Sequence, residues 1–75
     1  LKEQTTDIEF TLAQSGMTYI QLYNEKGELL RTVFSGNLDF GKYKLLCSFY
    51  DLSAGAYFIR LSSNSFTETQ AIILY

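Results

Sequence analysis

Alternating apolar and polar residues run through most of the chain and predict β-strands. In the clearest run, Tyr57, Ile59 and Leu61 fall on one face while Phe58 and Arg60 fall on the other. Alternation of this kind, bounded by a cluster of turn residues, is typical of a strand with one buried face. We therefore expect a half-buried strand over residues 56–62, with Tyr57 as its main core anchor.

The same pattern recurs in five other segments, each set off by polar or glycine-containing turns. We predict these strands over residues 7–13, 17–23, 28–34, 42–50 and 66–75. The side chains expected to face inward in the first, second and fourth of them are Ile8, Phe10, Leu12, Ile20, Leu22, Tyr43, Leu45, Cys47 and Phe49. Turn signals at such regular spacing favour an antiparallel sandwich or barrel.

Three segments carry more specific expectations. In the third strand apolar residues occupy both faces, with Leu29 and Val33 on one and Leu30 and Phe34 on the other, so that both faces are expected to be covered. Residues 35–41 are predicted to be irregular and residues 62–65 to form a polar turn. The last four residues, 72–75, are apolar and predict a covered terminal strand.

Length and composition set the class of the protein. Seventy-five residues make one small domain, and we take residues 1–6 as a linker remnant and residues 7–75 as the folded unit. A domain of this size buries about 60% of its unfolded surface, and six Tyr and six Phe help to fill its core. The chain starts at Leu1 without an initiator Met, and we interpret it as a fragment of a longer polypeptide or as a mature, processed piece.

Charge and missing residue types argue against several functions. The net charge is −2 and the six basic residues are scattered, which argues against a nucleic-acid surface or a basic membrane-binding face. No apolar run is long enough for a membrane helix. With no His and a single Cys, the chain offers no internal disulfide, no zinc site of the usual kind and no His-dependent triad. We predict no catalytic residue, metal or cofactor.

Several individual residues have both a functional and a structural interpretation. Asn37, Asp39 and Asp51 carry oxygens that could bind calcium, but turn-forming hydrogen bonds explain Asn and Asp at such positions. Cys47 shares a face with apolar residues and is expected to be a buried, inert thiol. Tyr57 is expected to pack in the core while its hydroxyl bonds nearby backbone, as in a tyrosine corner.

Outward-facing aromatic residues form the one candidate binding patch. Tyr19 and Tyr23 share a face of the second strand, and Phe58 and Arg60 share a face of the fifth. If these strands are neighbours, the four side chains could stack sugars or dock a partner protein. The alternative, which we favour, is that they contact long loops or an adjacent domain of the parent protein.

Three short motifs lie in order along the chain. They are Tyr23, Asn24 and Gly27 at one turn, Gly41 with Tyr43 at another, and Asp51, Leu52, Gly55 and Tyr57 in a piece of the form D-L-x-x-G-x-Y, which is the most specific of the three. Taken in this order, they resemble the C-terminal sorting domain of type IX (Por system) secretion cargo. They are also similar to the immunoglobulin-like module of the flagellar hook-capping protein.

The resemblance implies a small antiparallel, immunoglobulin-like β-sandwich of six to seven strands. It also implies a secretion address on a larger protein of Bacteroidetes-type bacteria, exported through the periplasm and outer membrane and then often cleaved by a sortase-like peptidase. The tail, residues 69–75, departs from the family pattern in having no Lys or Arg.

We therefore predict a non-catalytic sorting or attachment module of an exported protein. Its partners would be the secretion machinery or the adjacent domain of the parent protein. The alternative is an accessory module of an extracellular enzyme or adhesin that binds carbohydrate or protein.

Overall fold

The computed structural model describes residues 5–64 and 66–75, with only the backbone of Thr5. In this part of the chain there are six strands and no helix, and hence no helix that could span a membrane. The strands are β1 (Thr5–Leu12), β2 (Gly16–Asn24), β3 (Leu29–Leu38), β4 (Gly41–Ser48), β5 (Gly55–Ser63) and β6 (Phe66–Leu74). Of the predicted linker remnant, residues 1–4 lie outside the described residues, and Thr5 and Thr6 lie in β1.

The strands form two antiparallel sheets with their apolar faces together. One sheet has the order β3-β2-β5-β6 and the other pairs β1 with β4. The buried hydrophobic residues between the sheets form a single cluster: Ile8, Phe10, Leu12, Ile20, Leu22, Cys47, Phe49, Tyr57, Ile59, Leu61, Ile72 and Leu74. This arrangement confirms the predicted all-β, immunoglobulin-like sandwich, and the inward faces assigned to the first, second and fifth strands are also confirmed.

β3 differs from its prediction in both length and phase. It continues to Leu38 and β4 begins at Gly41, so the expectation that residues 35–41 are irregular was wrong for all of them except residues 39 and 40. The pairing of β2 with β3 is irregular at two points, and a register shift of this kind breaks strict alternation. As a result Val33 and Phe34, adjacent in sequence, both pack against the core, while Leu29 and Leu30 are exposed. Cross-strand pairing with β2 outweighs the weak strand propensity of Ser, Gly and Asn here.

The structure also differs from the predictions at the end of β5 and in the last residues of the chain. Of residues 62–65, predicted to form a turn, Ser62 and Ser63 belong to β5 and residue 65 lies outside the described residues. Ser63 is buried against Thr18, whose Oγ1 lies 3.0 Å from Ser63 Oγ. The two hydroxyls satisfy each other where an unpaired polar group would be destabilising. In β6 only Ile72 and Leu74 are covered, whereas Ile73 is 60% exposed, so the terminal strand is buried on one face only.

Candidate functional site

The D-L-x-x-G-x-Y motif builds the entry to β5. Gly55 opens the strand with φ +151°, a conformation that favours glycine. Two residues later the hydroxyl of Tyr57 donates a 2.7 Å hydrogen bond to the carbonyl oxygen of Ser53, while the ring is buried in the core. The predicted tyrosine corner is thus confirmed, and it ties the turn before β5 to the strand itself.

The entry to β4 has the same construction, which was not expected from the sequence. Gly41 opens the strand with φ +140°, and the hydroxyl of Tyr43 donates a 2.7 Å hydrogen bond to the carbonyl oxygen of Asp39. The Tyr43 ring also stacks on Phe10 of β1, with 5.3 Å between ring centroids. The signal was present in the sequence as a second Gly-x-Tyr after a turn.

The other two residues of the motif hold the turn in place. Leu52 packs against the core, and its backbone N–H donates to the carbonyl of Phe49 at 3.0 Å. The carboxylate of Asp51 accepts a 2.7 Å hydrogen bond from the guanidinium of Arg31, and this bond lowers the pKa of Asp51. The guanidinium of Arg31 also lies 6.0 Å from the ring centroid of Phe49. The contacts described for the motif thus hold the turn and the start of β5 in place.

The three positions considered for calcium lie in two separate parts of the chain, and one of them is paired with a cation. Asp51 is engaged by Arg31, Asn37 lies in β3, and Asp39 lies in the turn that follows it. Across residues 5–64 and 66–75, no three His, Cys, Asp or Glu side chains come close enough together to hold a metal ion. The thiol of Cys47 is buried, and burial raises its pKa, which disfavours the reactive thiolate.

The turn between β2 and β3 is held by Asn24. Its side-chain oxygen accepts hydrogen bonds from the backbone N–H groups of Lys26 at 2.9 Å and Glu28 at 3.0 Å. Gly27 has φ +86°, a left-handed conformation that favours glycine, and its N–H donates to the carbonyl of Asn24. Asn24 and Gly27, two of the residues that carry the resemblance, thus stabilise the conformation of this turn.

The strand register brings three of the four predicted binding residues together. β2 and β5 are neighbours, and Tyr23 lies directly opposite Phe58. Tyr23, Phe58 and Arg60, with Gly27 and Thr69, line an open groove of about 220 Å³. Tyr19 lies four residues along β2, roughly 13 Å from Tyr23, because a strand rises about 3.3 Å per residue. It is outside the groove.

This groove belongs to a sheet face that is almost free of charge. Opposed residues of antiparallel strands share a face, so the register defines three rows on the outer face of the four-stranded sheet. The rows, read from β3 to β6, are Ser35, Tyr19, Ser62 and Thr67; Thr32, Gln21, Arg60 and Thr69; and Leu29, Tyr23, Phe58 and Ala71. Arg60 is the single charged residue among these twelve positions.

The outer face of the two-stranded sheet is different. It presents Asp7 and Glu9 from β1 beside Lys42 and Lys44 from β4, and Lys44 Nζ lies 3.7 Å from Asp7 Oδ2. Opposite charges are thus interspersed on one outside surface of the sandwich, while the other carries an isolated cation among aromatic and hydroxyl side chains.

A comparison with protein families identifies the domain. The family described as "Secretion system C-terminal sorting domain" matches residues 2–75, essentially the whole chain. No curated protein and no solved structure gives a significant match. The family match supports the sorting prediction but gives no support to an accessory carbohydrate- or protein-binding module. C-terminal domains of type IX secretion mark proteins for the cell surface or for release. The chain belongs to the family of secretion system C-terminal sorting domains.

Proposed function

We propose that the domain is a non-catalytic sorting module at the end of a larger exported protein, recognised by the type IX machinery as a folded surface. The observation that carries this proposal is the family match over residues 2–75, which spans both sheets. The motif residues support it, since their contacts stabilise turns and strand entries rather than forming a reactive centre. The absence of His from the sequence supports a non-catalytic role.

The edge of β6 is a suitable part of such a surface. β6 pairs with β5 on one side, and no strand of residues 5–64 pairs with its other side. An exposed edge offers a row of backbone donors and acceptors to which an extended segment of a receptor can add as a further strand. The sequence contains no Pro to block that edge. The terminal strand would therefore be read while it is paired in the folded sandwich.

Recognition of a fold, as opposed to a linear signal, can be tested with a core variant. Residues 1–75 are fused behind a secreted reporter that carries a signal for inner-membrane export, in a host with type IX secretion. We expect the reporter to reach the cell surface or medium with the wild-type domain. Leu22→Asp, which places a charge at a fully buried position, should unfold the domain and leave the reporter in the periplasm.

The matched control is Ala13→Asp, which introduces the same residue at an exposed position between β1 and β2 and should be exported normally. Circular dichroism of the purified domains would verify that only the Leu22 variant is unfolded. Failure of the folded wild-type fusion to be exported would refute the proposed function. Equal export of an unfolded Leu22→Asp variant would instead show that a linear segment is the signal.

A further inference from the structure

We propose that the outer face of the four-stranded sheet, centred on Arg60, docks a protein component of the export machinery that presents a carboxylate beside an apolar side chain. This inference rests on the proposed function and adds to it a place and a chemistry of recognition. The surface is the outer face of the sheet and not the backbone edge of β6, and its groove shares Tyr23 and Gly27 with the β2–β3 turn.

The isolation of Arg60 is the first argument. Its side chain is exposed and forms no ion pair or hydrogen bond with any residue in 5–64 or 66–75. Its cross-strand neighbours, Gln21 and Thr69, are uncharged, so nothing beside it in the sheet neutralises the guanidinium. A planar guanidinium with free donors is suited to binding a carboxylate through two parallel hydrogen bonds.

The groove next to Arg60 supplies the apolar half of the site. Tyr23 and Phe58 lie directly opposite each other, both half-buried, and line the same 220 Å³ groove as Arg60. This space accommodates one apolar side chain of a partner, held against two aromatic rings. Aromatic residues and Arg are the types enriched at the centres of protein interfaces, where other charged residues are depleted.

The positive charge of Arg60 favours a different protein over a second copy of this chain as the partner at this face. A twofold contact through this face would bring two Arg60 side chains towards each other, and the three rows of the face contain no Asp or Glu to separate them. Burying like charges without a counter-ion is unfavourable. A neutral glycan would stack on the rings but would leave the guanidinium unpaired. A protein partner that presents a carboxylate beside an apolar side chain would pair with Arg60 and also pack against the rings of Tyr23 and Phe58.

The inference is tested with charge variants of the exported fusion described above. Arg60→Glu should lower export by about tenfold or more, because it replaces an attractive charge pair with a repulsive one. Arg60→Gln, which removes the charge without reversing it, should give a smaller loss. The matched control is Lys42→Glu, which makes the same change of charge on the outer face of the other sheet and should be exported like the wild type.

Each variant is purified in parallel, and its unfolding midpoint should lie close to that of the wild type because residues 42 and 60 are both exposed. Wild-type export of both folded Arg60 variants would overturn the docking surface while leaving the proposed function intact. Equal losses for Arg60→Glu and Lys42→Glu would overturn it as well, since overall charge would then be the cause.

A dimer that dissociates on Arg60→Glu would assign the face to self-association instead. If the wild-type fusion itself is not exported, the proposed function fails first.

Discussion

The two tyrosine hydroxyls that bond to a carbonyl four residues upstream differ in their surroundings. The bond from Tyr57 is partly buried, whereas that from Tyr43 is exposed to solvent. A hydrogen bond shielded from water contributes more to stability, because loss of one partner leaves the other without a replacement from solvent. The hydrogen bond of Tyr57 should therefore contribute more to the free energy of unfolding than that of Tyr43, although the two strand entries have the same construction.

We expect Tyr57→Phe to lower the free energy of unfolding by about 1 kcal/mol, because it removes the hydroxyl and leaves the carbonyl of Ser53 without this hydrogen-bond donor. Tyr43→Phe should give a smaller loss, and Tyr19→Phe, which removes no hydrogen bond to a described residue, should be nearly neutral. Urea denaturation of the three variants measures the order. A larger loss for Tyr43→Phe than for Tyr57→Phe would contradict the role of shielding.

At the scale of the elements, β2 and β3 depend on the turn that joins them. This pair has an irregular register at two points, and one of them, between Leu22 and Tyr23, comes directly before the turn. The Asn24 side chain holds this turn by accepting from two backbone N–H groups, and its Nδ2 donates a 2.7 Å hydrogen bond to Glu28 Oε1. One side chain thus organises the whole connection.

Removing that side chain should weaken the β2–β3 hairpin. We expect Asn24→Ala to lower the free energy of unfolding by about 1 kcal/mol, because water replaces the lost acceptor only in part at this exposed turn. Hydrogen exchange should show the loss of protection concentrated in residues 21–32. Asn37→Ala, an exposed Asn in β3, is the control. Equal effects at the two positions would mean that the Asn24 contacts are dispensable.

The stability of the whole molecule depends on a thin core between sheets of unequal width. Folded domains are stable by only about 5–15 kcal/mol, and small ones have little apolar area to spare. Leu22 is fully buried in the four-stranded sheet, whereas Leu46, on the outside of the two-stranded sheet, is 67% exposed. The same residue type therefore has opposite roles in this molecule.

We expect Leu22→Ala to reduce the free energy of unfolding by about 3 kcal/mol through lost burial and the cavity left behind. Leu46→Ala should change it by less than about 0.5 kcal/mol. Thermal and urea unfolding of the two variants measure the difference. Comparable losses would indicate that Leu46 is buried in solution, for example in an assembly that covers the two-stranded sheet.

The sequence by itself determined which faces of the regular strands are buried and how β5 begins. Ile8, Phe10, Ile59 and Leu61 lie in the core as their alternation predicted, and the Tyr57 hydroxyl bonds to nearby backbone as expected. These features are local. The pleat repeats every two residues, and a tyrosine corner closes within five residues of one chain.

Tertiary structure alone decided the features that depend on distant partners. Val33 and Phe34 both reach the core because β3 shifts its register against β2. The buried hydroxyl of Ser63 has a hydrogen-bonding partner because Thr18 lies opposite it on β2. Arg60 is isolated because β2 and β6, on either side of it, place uncharged residues opposite. Which strands become neighbours depends on contacts between residues far apart in the sequence, and periodicity within a single strand carries no information about them.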